Sequence, residues 1–188
     1  MPIVSTIKMT ARQFIALGEE PAGVRLELVD GEVAVSPSPT SDHSYADRML
    51  STLLHNHILA NDLGQFFGDV DTIFGEFDVR RPDLIYFQKS RLHLIGDNAM
   101  EGPPDLCVEI ISPSSSVIDR KDKFKQYAEG GVANYWIVDP IHRTMEGYLL
   151  QSGKYVEQAR GGENDTLSLP PFPTLKIPLK SLWRPKPV

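Results

Sequence analysis

The chain has 188 residues, of which 41% are hydrophobic and 23% are charged, with 15 Pro, 14 Gly and one Cys. This length favours one compact domain over residues 1–188, and the composition excludes wholesale disorder, a collagen and a coiled coil. No apolar run approaches the roughly 20 residues that a membrane-spanning helix needs, and residues 1–14 lack the apolar region of a secretory signal. Cys107 has no second cysteine to pair with, so the sequence predicts a protein of the reducing cytoplasm that does not enter a membrane.

The net charge of −6 is distributed unevenly along the chain. Residues 1–77 carry 4 Lys and Arg against 11 Asp and Glu, whereas residues 78–125 carry 8 of each. The overall acidity argues against a protein that coats itself with nucleic acid. The middle of the chain nevertheless contains closely spaced basic residues, so the net charge does not decide the partner.

The first half of the chain contains two helix patterns and one hairpin pattern. Thr10 is a suitable N-cap for a short helix that ends at about Leu17. Asp30-Gly31 lies between two β-prone runs and predicts a β-hairpin, because this dipeptide accepts the positive φ angles of a two-residue turn. Apolar residues at spacings of three and four predict a long helix that begins near Ser41 or Asp42.

The second half reads as strands interrupted by one helix. Candidate strands lie at about 65–74, 79–87 and 104–112, and a helix follows the SPSSS segment and ends at Gly130-Gly131. The apolar run 134–140 is typical of a strand covered on both faces. A final hairpin at about 145–150 and 154–159 and a Pro-rich tail complete the pattern.

The predicted core order is therefore helix–three strands–helix–strand, preceded by an added N-terminal helix and β-hairpin. A strand–helix–strand crossover joins the last two core strands, so we expect 104–112 and 134–139 to be parallel and adjacent. This order describes an α/β fold with a mixed sheet.

The strand DLCVEIIS contains an acid in an otherwise apolar setting. Side chains alternate across a strand, so Asp105, Cys107 and Glu109 share one face. A lone ionised carboxylate in the interior is strongly unfavourable. Glu109 therefore pairs with a Lys or Arg, binds a metal or takes up a proton, unless it faces an open edge of the sheet.

A second isolated acid opens the preceding strand. In VRRPDLIYF, Asp83 follows Pro82, which marks the start or edge of a strand, and by itself Asp83 fits a turn or strand end. Neighbouring strands lie about 4.8 Å apart, so Asp83 and Glu109 can share one divalent cation if they face the same way. Oxygen ligands without a Cys/His cluster at zinc spacing favour Mg²⁺ or Mn²⁺ over Zn²⁺.

A lysine on the following helix completes the candidate site. Asp119, Lys123 and Tyr127 repeat at intervals of four and share one helix face. Lys123 lies at the border of the buried face, near the C-terminal end of the Glu109 strand. The alternative is an ordinary lysine whose stem covers apolar surface.

Six segments together resemble a known family. They are LELVDGEV, the Pro-Ser-Pro that precedes His43, RPDLIYF, PPDLCVEIISPSS, DRKDKFKQYAEGGV and NYWIVDP. Over about residues 9–150 the chain resembles the Uma-two family of restriction endonuclease-like proteins, a branch of the PD-(D/E)XK nuclease superfamily. The resemblance implies a restriction-endonuclease-like core.

The resemblance also implies site residues. The family's acidic positions match Asp83 and Glu109. The usual D/E-x-K is not kept, because Ile111 stands two residues after Glu109, and the family's lysine matches Lys123 instead. Glu27 matches a further acid that either approaches the site or lies on a surface hairpin. Asp105 also matches and fits a turn, strand-end or supporting role.

The function implied by the resemblance is a Mg²⁺-dependent endonuclease that acts on DNA as a homodimer. Asp83, Glu109 and the main-chain carbonyl of Ile110 would hold one Mg²⁺ (or Mn²⁺), and Lys123 would orient or help to deprotonate the attacking water. Four basic residues are candidates for phosphate contacts, with ordinary solvated charges as the alternative. They are Arg80, Arg81, Arg120 and Lys121.

Two other functions compete with this hypothesis. One is a catalytically silent nuclease-fold module that binds nucleic acid or a protein partner, which the acidic composition and the displaced lysine allow. The other is a small-molecule hydrolase, which is disfavoured because the sequence has neither Gly-x-Ser-x-Gly nor a phosphate-cradling glycine loop.

Overall fold

The computed structural model describes residues 8–18, 20, 22, 24–36, 38–113, 116 and 118–186. Residues 1–7, which include half of the segment tested for a secretory signal, lie outside this part. The α-helices of the described part are α1 (Ala11–Ile15), α2 (Ser41–Ala60) and α3 (Phe124–Glu129). None of its helices combines the length and apolar character that a membrane crossing requires.

The described residues form sheets of six, four and two strands. The strands are β1 (Arg25–Val29), β2 (Glu32–Ser36), β3 (Gly64–Gly68), β4 (Thr72–Gly75), β5 (Asp78–Arg80), β6 (Leu84–Gln88), β7 (Leu106–Ile110), β8 (Asn134–Asp139), β9 (Thr144–Gln151), β10 (Lys154–Gly161), β11 (Thr166–Leu169) and β12 (Phe172–Pro178). Shorter helical turns are a π-helix at Ile118–Lys123 and 3₁₀-helices at Lys89–Leu94 and Leu179–Leu182.

The six-stranded sheet contains the predicted core. Its order is β10-β9-β8-β7-β6-β3, with β7 and β8 parallel and the other neighbours antiparallel. Along the chain, α2, β3, β6, β7, α3 and β8 reproduce the order helix–three strands–helix–strand. The predicted parallel pairing of the last two core strands is confirmed.

Helix α2 begins where its sequence supplies a cap and a buried face. The hydroxyl of Thr40 accepts a hydrogen bond from the main-chain N–H of His43 at 3.2 Å, which satisfies a donor that the first turn leaves open. Ala46, Leu50 and Leu54 recur at spacings of four and are fully buried. The predicted start near Ser41 is thus confirmed.

The two faces of the sheet separate two apolar layers. The even-numbered residues of β7, such as Leu106 and Val108, pack in the layer that contains α2 and the β11–β12 hairpin. Cys107 packs in the opposite layer, together with Tyr127 of α3. The predicted alternation along β7 therefore holds, and it turns Glu109 toward α3.

The predicted strands 65–74 and 79–87 are each divided between two sheets, which corrects both spans. The first breaks after β3 at Asp69, whose φ of 58° makes a turn, and continues as β4 in the four-stranded sheet. The second leaves that sheet after β5 and enters the six-stranded sheet at β6, with Pro82 between them. Sequence periodicity does not register such a change of sheet, because β-prone apolar residues continue on both sides of each break.

The N-terminal prediction is confirmed, whereas the C-terminal one was incomplete. Thr10 caps α1, and Asp30 and Gly31 take positive φ angles between β1 and β2. The Pro-rich tail contains an additional antiparallel pair, β11 and β12. Four prolines between Leu169 and Leu179 hide the strand pattern, because proline is depleted in strands.

Gly147 of β9 gives a test of this packing. A Cβ atom at this position would lie 2.6 Å from Cδ2 of Leu169 on the β11–β12 hairpin. Gly147→Ala is therefore expected to lower the free energy of unfolding by about 1–3 kcal/mol through overpacking, measured by urea denaturation. Gly162→Ala, whose nearest neighbour would be 3.8 Å away, should change stability much less. Equal stability of the two variants would contradict the described contact.

Candidate active site

The two predicted acids meet where β6 and β7 lie side by side. The register pairs Leu84 with Val108 and Ile85 with Cys107, so its continuation places Asp83 opposite Glu109. Ile85 and Cys107 face the layer of α3, and Asp83 and Glu109 share that face by alternation. The main-chain N–H of Ile110 also donates to Oδ2 of Asp83 at 2.7 Å, which ties the two strands together at this point.

Glu109 is held by two side chains from the following helical segment. Nζ of Lys123 donates to Oε2 at 2.7 Å, and the hydroxyl of Tyr127 donates to Oε1 at 2.6 Å. Nζ of Lys123 also lies 3.3 Å from Oδ1 of Asp119. The predicted common face of Asp119, Lys123 and Tyr127 is therefore the face that covers Glu109.

The backbone that carries Lys123 is a π-helix at Ile118–Lys123 rather than a regular α-helix. A π-turn has a wider hydrogen-bonding ring than an α-turn, is rare and often occurs at functional sites. The segment buries Asp119 and Lys123 against the sheet. Regular α-helical structure resumes at α3, from which Tyr127 reaches the same carboxylate.

Asp83 is positioned by α2 as well as by β7. Nε2 of His43, in the first turn of α2, lies 3.2 Å from Oδ2 of Asp83. Burial would raise the pKa of Asp83, but His43, Lys123 and the N–H of Ile110 together lower it. Asp83 is thus held as a carboxylate. The contacts with His43 and Ile110 both use Oδ2 of Asp83.

Glu27 belongs to the same site. This decides between the two interpretations that the sequence allowed, an acid that approaches the site or an acid on a surface hairpin. It lies on β1 and is buried; its carboxylate accepts from Nη1 of Arg80 and from the main-chain N–H of Arg81, both at 3.1 Å. Burial would raise the pKa of Glu27, but Lys123 and Arg80 lower it. The hairpin therefore brings an interior carboxylate to the site rather than a surface glutamate.

Four carboxylates act on one ammonium group in this cavity. Burial alone would lower the pKa of Lys123, but Glu109, Glu27, Asp119 and Asp83 outweigh burial and raise it. Lys123 therefore stays protonated. Burial, reinforced by Asp119 and Asp83, raises the pKa of Glu109 to about 8 despite the opposing effect of Lys123. A cation bound beside Glu109 would oppose this shift and favour the ionised carboxylate.

A hard divalent cation fits this donor set. The cavity of about 50 Å³ is lined by carboxylates, by Ile110 and Ser112 and by the basic residues Arg25, Arg81 and Lys123, and it has room for a cation or a few water molecules. Each carboxylate oxygen has two lone pairs, so the contacts of Glu109 leave it able to bind a metal. Within the described residues no three His, Cys, Asp or Glu side chains are grouped as a metal site. Asp83 and Glu109 instead offer two carboxylates, the arrangement with which Mg²⁺ keeps several water ligands.

Two of the arginines predicted to contact phosphate are engaged with acids of the protein. Arg80 is buried and pairs with Glu27. Arg81 lines the cavity but pairs with Glu20 and Asp71, each at 2.9 Å. The Arg80 guanidinium therefore holds a carboxylate of the site, and the structure does not present Arg80 to a substrate.

Arg120 has a similar internal role. It pairs with Glu146 at 2.8 Å and with Asp139 at 3.4 Å, and both acids are buried. These contacts fasten the π-helix to β8 and β9. Of the four predicted phosphate contacts, Lys121 is the one whose side chain is exposed without such a role.

Asp105 lies at the beginning of β7, at the opposite end from the site. It accepts hydrogen bonds from the main-chain N–H of Gln88 at 2.9 Å and from Nη1 of Arg91 at 3.0 Å. These contacts join the end of β6 to the start of β7. Asp105 therefore has the strand-end role that its position in the sequence suggested.

Two residues of the site were not assigned a role from the sequence. His43 was noted only as the histidine that follows the Pro-Ser-Pro segment. A histidine in the first turn of an amphipathic helix could have been taken as a candidate site residue. Arg25 lies two residues before Glu27 on β1, so strand alternation places both on one face. That signal was available once Glu27 was considered.

The comparisons with known proteins identify the family and the fold. A solved structure described as a "putative nuclease belonging to DUF820" from Anabaena variabilis matches with a TM-score of 0.74 and 20% identity, covering 93% of this chain and 97% of that chain. This likeness confirms the predicted restriction-endonuclease-like fold. None of the curated proteins compared with the chain matches it. A family model described as "Uma2: Putative restriction endonuclease" matches residues 11–180. The chain therefore belongs to the Uma2 family, as its sequence motifs predicted.

Proposed function

We propose that this protein is a metal-dependent endonuclease that hydrolyses phosphodiester bonds in DNA with Mg²⁺ (or Mn²⁺). The observation that carries the proposal is the position of Glu109, which lies opposite Asp83 and is held between Lys123 and Tyr127. The family description and that of the Anabaena variabilis protein both name nucleases. The restriction endonuclease named in the family description supports DNA as the proposed substrate.

Three groups would hold the cation in this proposal. They are the carboxylates of Asp83 and Glu109 and the main-chain carbonyl of Ile110, all of which belong to residues that line one cavity. When bound, the cation would act as a Lewis acid toward the scissile phosphate and would lower the pKa of a water molecule.

Lys123 would act as a hydrogen-bond donor in the reaction. Because the surrounding carboxylates raise its pKa, it stays an ammonium and is poorly suited to remove a proton from water. Its Nζ would instead orient the attacking water and offset the charge that develops on a phosphate oxygen. Tyr127 and His43 would keep Glu109 and Asp83 in place through the hydrogen bonds described above.

A homodimer would allow both DNA strands to be cut. Each chain offers one such site, and the two strands of a duplex are related by approximate two-fold symmetry. A two-fold dimer would therefore present one site to each strand.

Replacement of the two central residues should remove cleavage of supercoiled DNA. Glu109→Gln is expected to abolish metal-dependent nicking, because the amide loses a metal-binding charge. Lys123→Ala is expected to reduce the rate by about 100-fold or more, as for the loss of a transition-state donor. Gel assays of purified protein in Mg²⁺ or Mn²⁺ measure both effects.

Matched controls lie on the same helix. Glu129 and Lys125 form an exposed ion pair with one another, so Glu129→Gln and Lys125→Ala should retain wild-type nicking. Circular dichroism melts should be used to check that all four variants are folded. This check is needed because Lys123→Ala leaves Glu109 without its buried partner. Unchanged nicking in Glu109→Gln or Lys123→Ala would exclude the assigned site and point to a contaminating nuclease.

Metal binding separates an active nuclease from a catalytically silent module. Titration calorimetry with Mn²⁺ should show binding to the wild-type protein. Binding to Asp83→Asn should be at least about tenfold weaker, because this substitution removes a charged metal ligand. Asp97→Asn, at an exposed position, is the control and should bind as the wild type does. DNA binding without Mn²⁺ binding or cleavage would instead favour the silent module.

A further inference from the structure

The cavity that contains Asp83 and Glu109 (the inner cavity) adjoins a second one (the outer cavity). The outer cavity has a volume of about 160 Å³ and shares Arg25, Pro39, His43 and Asp83 with the inner one. Asp83 therefore lies at the junction of the two. Arg25 is the arginine common to both linings, so it borders both cavities.

Arg25 differs from the arginines that are engaged inside the protein. Its guanidinium pairs with Asp69, whose side chain is 55% exposed, and the Arg25 side chain is itself 25% exposed. The acids that hold Arg80 and Arg120 have side chains at most 6% exposed. An exposed ion pair is screened by water and contributes little to stability. A phosphate can therefore replace Asp69 as the partner of Arg25 at small energetic cost.

A second positive element borders the same outer cavity. The first turn of α2 contributes His43 and Ser44 to the lining, and α2 has 20 residues. The main-chain N–H groups of His43 and Ser44 are bonded to Thr40, so this helix end would favour an anion through its partial positive charge rather than through these two groups. The turn and Arg25 thus converge on one space from α2 and from β1.

The inner cavity needs such help to accept an anionic chain. Its carboxylates repel phosphate, and Lys123 is already surrounded by four of them. Asp47 adds a further acid to the outer cavity. A cation that can give up its own acidic partner is therefore the group best suited to hold a phosphate beside the site.

We propose that Arg25, with the first turn of α2, forms a subsite for the backbone phosphate next to the reacting one. This inference rests on the proposed nuclease function and names a residue that holds its substrate. The planar guanidinium would bind two phosphate oxygens at once. On binding, Arg25 would exchange Asp69 for the phosphate, and the contact would carry no sequence preference.

The test uses the Glu109→Gln protein, so that DNA is bound without being cut. Its affinity for a labelled DNA duplex is measured by fluorescence anisotropy at several salt concentrations. Adding Arg25→Gln should weaken binding by about tenfold and reduce the slope of log K against log salt by about 1, because one phosphate contact is lost. Arg25→Lys should keep most of the slope. Arg12→Gln is the control, since Arg12 pairs with Glu101 and lines neither cavity.

Replacing Asp69 gives a prediction of opposite sign. Asp69→Asn should tighten binding by about threefold, because Arg25 no longer has to leave a carboxylate. Asn suits the positive φ of this position. In the Arg25→Gln background, Asp69→Asn should increase the affinity for DNA by no more than Asp97→Asn, an exposed control, does. A purely structural role of Arg25 would produce neither the change in slope nor this coupling.

The outcomes separate the subsite from the nuclease function. If the wild-type protein cuts DNA while Arg25→Gln keeps the parent's affinity and salt slope, the subsite is refuted and the proposed function stands. If the wild-type protein neither cuts nor binds DNA in Mn²⁺, both fall together. A loss of affinity in Arg25→Gln with an unchanged salt slope would also refute the phosphate contact.

Discussion

Lys123 and Glu109 form an ion pair inside the protein, with 2.7 Å between Nζ and Oε2, and the site depends on this contact. Desolvation makes a buried ion pair a poor source of stability, although removing one partner leaves an uncompensated charge. Here the pair sits among three further carboxylates, which raise the pKa of Lys123. Such a concentration of like charge is difficult to explain by stability alone. In the proposed function, a bound divalent cation would offset part of this charge.

The second constraint is the passage of the chain between two sheets. The chain leaves the six-stranded sheet after β3, forms β4 and β5 in the four-stranded sheet, and returns at β6. Because β5 pairs with β1, this excursion carries the β1–β2 hairpin to the mouth of the site. Glu27 and Arg25 reach the cavity in this way. The added N-terminal elements thus take part in the site rather than only extending the core.

Local patterns predicted a large part of this arrangement. Alternation along β7 placed Glu109 on the face away from Val108, and spacing along the next helical segment grouped Asp119, Lys123 and Tyr127. Both groupings are present, because they depend on backbone periodicity alone. The phosphate contacts were less accessible to such reasoning. Whether an arginine is available to bind a phosphate depends on acids that are distant in the sequence. Arg120, for example, pairs with Glu146, which lies 26 residues further along the chain.

Sequence patterns were sufficient to predict the family, the order of the core elements, the parallel pair β7 and β8, and which acids and lysine share a face. These features follow from hydrophobic period, turn residues and recognisable motifs, all of which are local. Tertiary structure decided where two predicted strands change sheets, that the Pro-rich tail forms a hairpin, and that Arg25 rather than Arg80 borders the cavity. Those outcomes depend on contacts between segments that are distant in the sequence, and such contacts form only when the whole chain is packed.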